Sequence, residues 1–309
     1  MNPNEPAPER IDGLMFFPVT PFDGDGHIDT GLLREFVAAR MNPGVGAVFA
    51  ACGTGEFHAL SAREVSSAIA AARAGIERDV PLFCGSGGPL GHAVECATAA
   101  ADAGATALLL MPPYLVDPVP DGLLAYIEAV AATSRLPIVV YHRGTAVLND
   151  AIVARLVEHP GIIGIKDGIG DLALMRAALE LRERGGRPDF MVVNGLPCAE
   201  VHDDEYRQAG VTAYTSSCFT MSPTIALAFR TATKRGDEAT RDTLLNEFLR
   251  PFDRLRSQVP GYSVALVKAG AALSGFPVGP VRPPLTDVRP DDLEALRRLL
   301  VHGESVAAL

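Results

Sequence analysis

Lysine is scarce in this chain: of 27 basic residues, only Lys166, Lys234 and Lys268 are lysines. Lys166 directly follows the apolar run Gly161 to Ile165, a setting in which burial favours the neutral amine. A neutral amine adds to a carbonyl and loses water to give an imine, which arginine cannot do. The competing reading is a lysine ion-paired with Asp167 or another acid, and position and scarcity leave both open. Tyr141 ends the run Ile138 to Val140. Beside the amine, its phenol could relay the protons that imine formation and collapse both require; otherwise it is a packing residue with a satisfied hydroxyl.

The loop Cys52 to Phe57 reads C-G-T-G-E-F. Gly53 and Gly55 flank Thr54, so N–H groups and a hydroxyl can converge on an anion, and a carboxylate fits. Glycine-rich turns follow many strands, so this motif is weak alone. In Gly85 to Gly91 the glycine spacing is one residue too long for G-x-G-x-x-G, and no G-K-[ST] occurs, so no nucleotide or other cofactor is expected. The histidines are dispersed, with neither H-x-H nor H-E-x-x-H, so no metal is expected either. Their one local cluster, His202 with Asp203 and Asp204, is assigned to the solvated face of a helix.

Elements that would position these groups recur along the chain. Short apolar runs begin at Leu14, Gly46, Pro81, Ala105, Pro137, Gly161, Phe190 and Val211, each followed by a stretch of helix-forming composition. Runs that are continuously apolar rather than alternating suit strands covered on both faces. Eight of them close a (β/α)8 TIM barrel, whose reactive groups sit at the C-terminal strand ends. Thr20, Gly53 to Glu56, Gly85 to Gly88, Met111 to Tyr114, Tyr141 to Arg143, Lys166 with Asp167, Asn194 with Gly195, and Ser216 with Ser217 all fall there. An open doubly wound sheet is the alternative. Beyond Gly236 the pattern is helical only, around Leu244 to Leu255, Val264 to Leu273 and Leu293 to Leu300. The expected organisation is a flexible N-terminal arm over 1–10, a barrel over 11–235 and a C-terminal helical extension over 236–309.

A formal charge of -10 argues against a nucleic-acid partner. No run approaches the roughly 18 apolar residues of a membrane span, and the first residues lack signal-peptide character, so a cytoplasmic protein without membrane contact is expected. Five scattered cysteines without a C-x-x-C pair suggest reduced thiols.

Taken in order, FPVTPF, GTGEF, PPY, VVYHR and GIKDG resemble the lysine-dependent dihydrodipicolinate synthase and N-acetylneuraminate lyase family, over Gly13 to Leu300. That resemblance implies a TIM barrel with a helical C-terminal extension, in a homo-oligomer (tetramer or dimer). It places the imine-forming role on Lys166 and the proton relay on Tyr141. Within the family, Lys166 to Asp171 (KDGIGD), Gly195 to Val201 (GLPCAEV), Val267 to Gly270 (VKAG) and Gly279 to Asp287 (GPVRPPLTD) are most similar to the branch that dehydrates and decarboxylates 5-dehydro-4-deoxy-D-glucarate. The expected products are 2,5-dioxopentanoate, water and CO2. Departures are Val259 in V-P-G-Y where that branch has arginine, His142 where many members have asparagine, and Leu115 where the synthases have a second tyrosine. The resemblance implies Gly53 and Thr54 for the carboxylate beside the imine, and Arg143, Gly195 and Ser217 for the distal hydroxyl or carboxylate. The rival readings are an aldolase acting on a 2-keto-3-deoxy sugar acid, a non-catalytic keto-acid sensor, and a metal-dependent hydrolase.

Overall fold

The computed structural model describes residues 11, 14–42 and 44–308; the expected arm over 1–10 lies outside them. Strands and helices alternate from the first strand: β1 (Leu14–Phe16), α1 (Thr30–Arg40), β2 (Val45–Ala50), α2 (Ala62–Gly75), β3 (Leu82–Ser86), α3 (Leu90–Asp102), β4 (Ala107–Leu110) and α4 (Pro120–Thr133). The second half continues with β5 (Ile138–His142), α5 (Asp150–Glu158), β6 (Ile162–Asp167), α6 (Leu172–Arg184), β7 (Met191–Asn194), α7 (Asp203–Gln208) and β8 (Ala213–Ser216).

All eight strands pair in parallel with their sequence neighbours, and β8 returns to β1. That closure excludes the open sheet. Each strand coincides with one of the apolar runs, and almost every strand residue is buried, because the barrel interior covers one face and the helix ring the other. Several helices start where side chains accept the free N–H groups of a first turn. Asp29, Asn149 and Asp171 cap α1, α5 and α6, while Ser61 and Glu64 form a reciprocal capping box on α2.

After β8 come α8 (Ser217–Met221), α9 (Pro223–Arg235), α10 (Glu238–Leu244), a π-helical turn over Leu245–Leu249, α11 (Arg250–Ser257), α12 (Tyr262–Leu273) and α13 (Pro290–Ala307). The last helix is longer than the expected Leu293 to Leu300. Pro290 opens it, at a first-turn position that needs no N–H, and Asp291 and Asp292 follow where the helix dipole favours acids. Arg282 ties the loop before α13 back to the barrel, reaching the carbonyls of Gly26 and Ala59 and the carboxylate of Glu64.

The cluster at His202 departs from expectation. Asp204 is exposed, but Asp203 is buried at the start of α7, where burial raises its carboxyl above the ordinary range. The short helix turns this carboxylate toward the barrel, with Arg207 one turn on.

Candidate active site

A cavity of about 420 Å³ opens at the C-terminal rim of the barrel. Its lining includes all seven residues singled out from the sequence: Gly53, Thr54, Tyr141, Arg143, Lys166, Gly195 and Ser217. Tyr141 and Lys166 lie directly opposite each other in the β5–β6 register. The Lys166 Nζ stands 4.2 Å from the Tyr141 ring centre and 4.4 Å from that of Phe17. Phe17 is stacked on Phe49, and Phe49 on Phe83, so the amine rests on a rigid aromatic floor.

The K-D-G-I-G-D run resolves into separate jobs. Lys166 points into the cavity at 7% exposure. Asp167 points the other way, accepting from the N–H groups of Ile169 and Gly170 and from the Tyr206 hydroxyl. Lys166 therefore makes no ion pair with Asp167, nor with any other acid among the described residues. Gly168 is glycine for lack of room: a Cβ there would stand 2.7 Å from the Tyr141 ring. Asp171 is consumed as the α6 cap. Gly195 clears a path for the lysine, since a Cβ on it would meet Lys166 Cε at 2.3 Å.

Burial pushes the Tyr141 phenol up, but Lys166 and Arg143, with their hydrogen bonds, outweigh burial and hold it below the ordinary value of 10. Its hydroxyl accepts from Arg143 at 3.2 Å and donates to the Gly195 carbonyl at 3.3 Å. A phenol so placed exchanges protons more readily than a free tyrosine.

The Gly53–Thr54 loop is braced from below. Thr20 donates to the Gly55 carbonyl, and Glu56, fully buried, takes the Lys268 ammonium at 2.7 Å and the Arg282 N–H at 2.8 Å. Lys268 and Arg282 belong to the C-terminal extension, so that extension fixes the loop. Their V-K-A-G and G-P-V-R-P-P segments are therefore part of the site's support. Several other strand-end residues are equally structural. The Asn194 side chain donates to the Ala199 carbonyl, and Ser216 caps α8 while donating to Glu200. His142 is buried outside the cavity lining, its Nδ1 accepting from the Leu148 N–H, so it offers no substrate contact here. Burial lowers its basicity, which keeps the imidazole neutral.

Sequence reasoning missed Arg256. It enters the cavity from α11, at 7% exposure, on a helix read only as an appendage. The available signal was its place on the face that Phe252 and Leu255 bury. Among the described lining residues none is a carboxylate or an imidazole, so the cavity offers no donor set for a divalent metal. Among the described residues the one group with suitable spacing elsewhere, Asp23, Asp25 and His27, is exposed in the turn before α1.

The description of the dihydrodipicolinate synthetase family matches residues 10–302. A relative from Streptomyces griseus named as a probable 5-dehydro-4-deoxyglucarate dehydratase is 45% identical over 96% of this chain and 93% of its own length. One of the same name from Paracidovorax citrulli is 39% identical over 97% and 98%. Among solved structures, dihydrodipicolinate synthase from Bacillus clausii superposes with a TM-score of 0.83 at 23% identity, covering 94% of this chain and 97% of that one. A prophage protein from E. coli K12, of the dihydrodipicolinic acid synthase family and in complex with pyruvate, gives 0.82 at 25% identity over 95% and 98%.

Proposed function

The chain belongs to the dihydrodipicolinate synthetase family, and on that footing we propose that it is a Schiff-base lyase converting 5-dehydro-4-deoxy-D-glucarate to 2,5-dioxopentanoate, water and CO2. The observation that carries the chemistry is the Lys166 amine beside the Tyr141 phenol in a cavity lined by cations and no acid. The substrate comes from the relatives bearing that dehydratase name. The E. coli relative, which holds pyruvate, supports a 2-keto acid as the ligand class.

Lys166 attacks the C5 carbonyl, and the carbinolamine loses water to give the imine. Tyr141 carries the protons in this step. The iminium acidifies C4. Loss of a C4 proton gives an enamine, which expels the C3 hydroxyl as water once that oxygen is protonated. The new C3=C4 bond is conjugated to the iminium, so the electron pair of the C1–C2 bond flows into the nitrogen as CO2 departs. Protonation of the resulting dienamine, conversion of the C2 enol to the aldehyde, and addition of one water release the product and the lysine. The net reaction consumes one proton. The lysine is the electron sink throughout. Gly53 and Thr54 hold the C6 carboxylate beside the imine, and Arg143, Gly195 and Ser217 face the distal hydroxyl or carboxylate.

The reading includes a homo-oligomer, supported by Leu115, Val116 and Val119, exposed apolar residues of the β4–α4 loop. It also includes a cytoplasmic setting, supported by five free, buried cysteines. No helix among the described residues is long and apolar enough to cross a membrane.

Incubation with 5-dehydro-4-deoxyglucarate, following CO2 and the semialdehyde, tests the reaction. Pyruvate and tartronate semialdehyde in their place would make the protein an aldolase. Borohydride reduction in the presence of substrate should add the ligand mass at Lys166, and its absence there would remove the imine itself.

A further inference from the structure

Arg256 is a buried cation without a hydrogen-bond or ion-pair partner among the described residues, and Asp253 and Glu200 act on it only as charges beyond contact distance. Its Nε and Nη1 are shielded from solvent yet unsatisfied. A buried, unpaired guanidinium costs several kcal/mol unless something compensates it. Its stem is held in place, with the guanidinium carbon 5.8 Å from the Phe252 ring, itself stacked on Phe248. The Ser217 hydroxyl is also buried without a hydrogen-bond partner. Both line the cavity that holds Lys166.

The charges there are uneven. Lys166, Arg143 and Arg256 are the charged residues of the lining, in a chain whose formal charge is -10. Arg143 gives one N–H to the Tyr141 hydroxyl and is otherwise exposed, and Lys166 is spent on the imine. The buried cation with no such contact is Arg256. A planar fork of N–H donors with unused hydrogen-bonding capacity matches a carboxylate, which can accept two of them at once.

Resting on the imine reading above, we infer that Arg256, with the Ser217 hydroxyl of the same cavity, binds the second carboxylate of the substrate and so selects keto diacids over keto monoacids. The acid beside the keto group lies at the Gly53–Thr54 loop, so its partner at the other end of a six-carbon chain is the group this arginine recognises. A specificity element is thus supplied by the helical extension rather than by a barrel strand. The same contact holds the C1–C2 bond in a fixed direction for the later loss of CO2.

The test uses two keto acids that cannot lose a hydroxyl and so are not turned over. 2-Oxoadipate has the carbon skeleton and both carboxylates of the substrate, whereas 2-oxohexanoate lacks only the far carboxylate. The measured quantity is the concentration that half-saturates borohydride trapping at Lys166, with pyruvate as a short reference ligand. The full-length wild-type protein should trap 2-oxoadipate at about 100-fold lower concentration than 2-oxohexanoate. Arg256→Met should collapse that ratio toward one, and Arg256→Lys should keep part of it, because it retains the charge without the fork. Should Arg256→Met fail to fold, trapping by pyruvate disappears as well, and Arg256→Lys and the wild-type ratio carry the test. Equal trapping of the two acids by the wild type, or an unchanged ratio in Arg256→Met, overturns the inference and leaves the imine standing. A wild type that traps none of the three ligands overturns the imine reading, and this inference with it.

Discussion

Replacing Gly195 by alanine asks whether the cavity works because Lys166 is held in one place. The added Cβ would lie 2.3 Å from Lys166 Cε, 2.4 Å from its Cγ and 2.8 Å from the Asp167 carbonyl oxygen. Carbon atoms ordinarily sit about 3.5 to 4.0 Å apart, so the overlap with Cε is roughly 1.2 Å. A rotation of the lysine relieves only part of it. The third contact is to backbone that also accepts the Gly195 N–H at 2.7 Å, so β6 and β7 cannot part without losing that bond. The amine must therefore move by about 1 Å, a displacement that costs on the order of 100-fold when reacting atoms must align. The expected result is a fall of about 100-fold in kcat/KM for CO2 release, matched by slower borohydride trapping. A loss of about 1 to 3 kcal/mol of stability from overpacking should accompany it. Gly168→Ala is the counterpart, because its Cβ would press on the Tyr141 ring at 2.7 Å and spare the lysine. It should slow turnover while the lysine is still trapped to completion. A Gly195→Ala protein that traps keto acid at the wild-type rate would refute the reasoning, because clearance around the lysine would then not govern its reactivity.

Four further outcomes are expected. Tyr141→Phe keeps the ring under the amine but removes the proton relay, so kcat should fall by about 100- to 10,000-fold while the imine can still be trapped; an unchanged kcat would assign the protons elsewhere. Lys166 and Arg143 hold the phenol below 10, so Arg143→Met should shift its ionisation to higher pH, read by ultraviolet titration, and move the alkaline limb of kcat/KM upward with it. Burial raises the Glu200 carboxyl from 4.5 to about 7, which makes the folded state bind its proton more tightly than the unfolded chain does. Its stabilisation is therefore complete below pH 4.5 and is lost as pH rises through about 7, a change of about 3 kcal/mol that should vanish from the melting profile of Glu200→Gln. Lys268→Met leaves Glu56 charged and buried without its ammonium, so it should cost about 3 to 5 kcal/mol, and adding Glu56→Gln should recover part of that if the pair matters as a pair.

Strand positions were readable because burial on both faces leaves no room for alternation, so each apolar run in sequence became a strand in space. The same logic exposed Lys166 and Tyr141, since a polar group at the end of such a run has to face the cavity or find a partner. Arg256 had no such signature. Its burial depends on α11 packing across the barrel mouth, and a charged residue inside a helical pattern gives no hint of which distant element covers it. Gly195 and Gly168 were visible as motif letters, but their reason is a pairwise clearance to Lys166 and Tyr141 that spacing cannot express. Asp203 and His142 show the opposite limit: each looked solvent- or substrate-facing by type, and each is turned into the layer between strands and helices.

From one imine, aldol cleavage and dehydration diverge over a single proton. Breaking C3–C4 requires a base to take the proton of the C3 hydroxyl, whereas dehydration takes a proton from C4 and gives one to that same oxygen. The cavity distributes its groups unequally between these two places. Tyr141, held below its ordinary ionisation, stands next to the amine and therefore next to C5 and C4. Toward the far carbons the lining offers hydroxyls and the guanidinium groups of Arg143 and Arg256, and among the described lining residues no carboxylate or imidazole. Donors of that kind stabilise the departing C3 oxygen but do not take the proton of the C3 hydroxyl. Decarboxylation then needs no further base, because the conjugated iminium accepts the electrons directly. The proposed preference for dehydration with loss of CO2 over aldol cleavage thus has a basis in where the cavity keeps its one good proton acceptor.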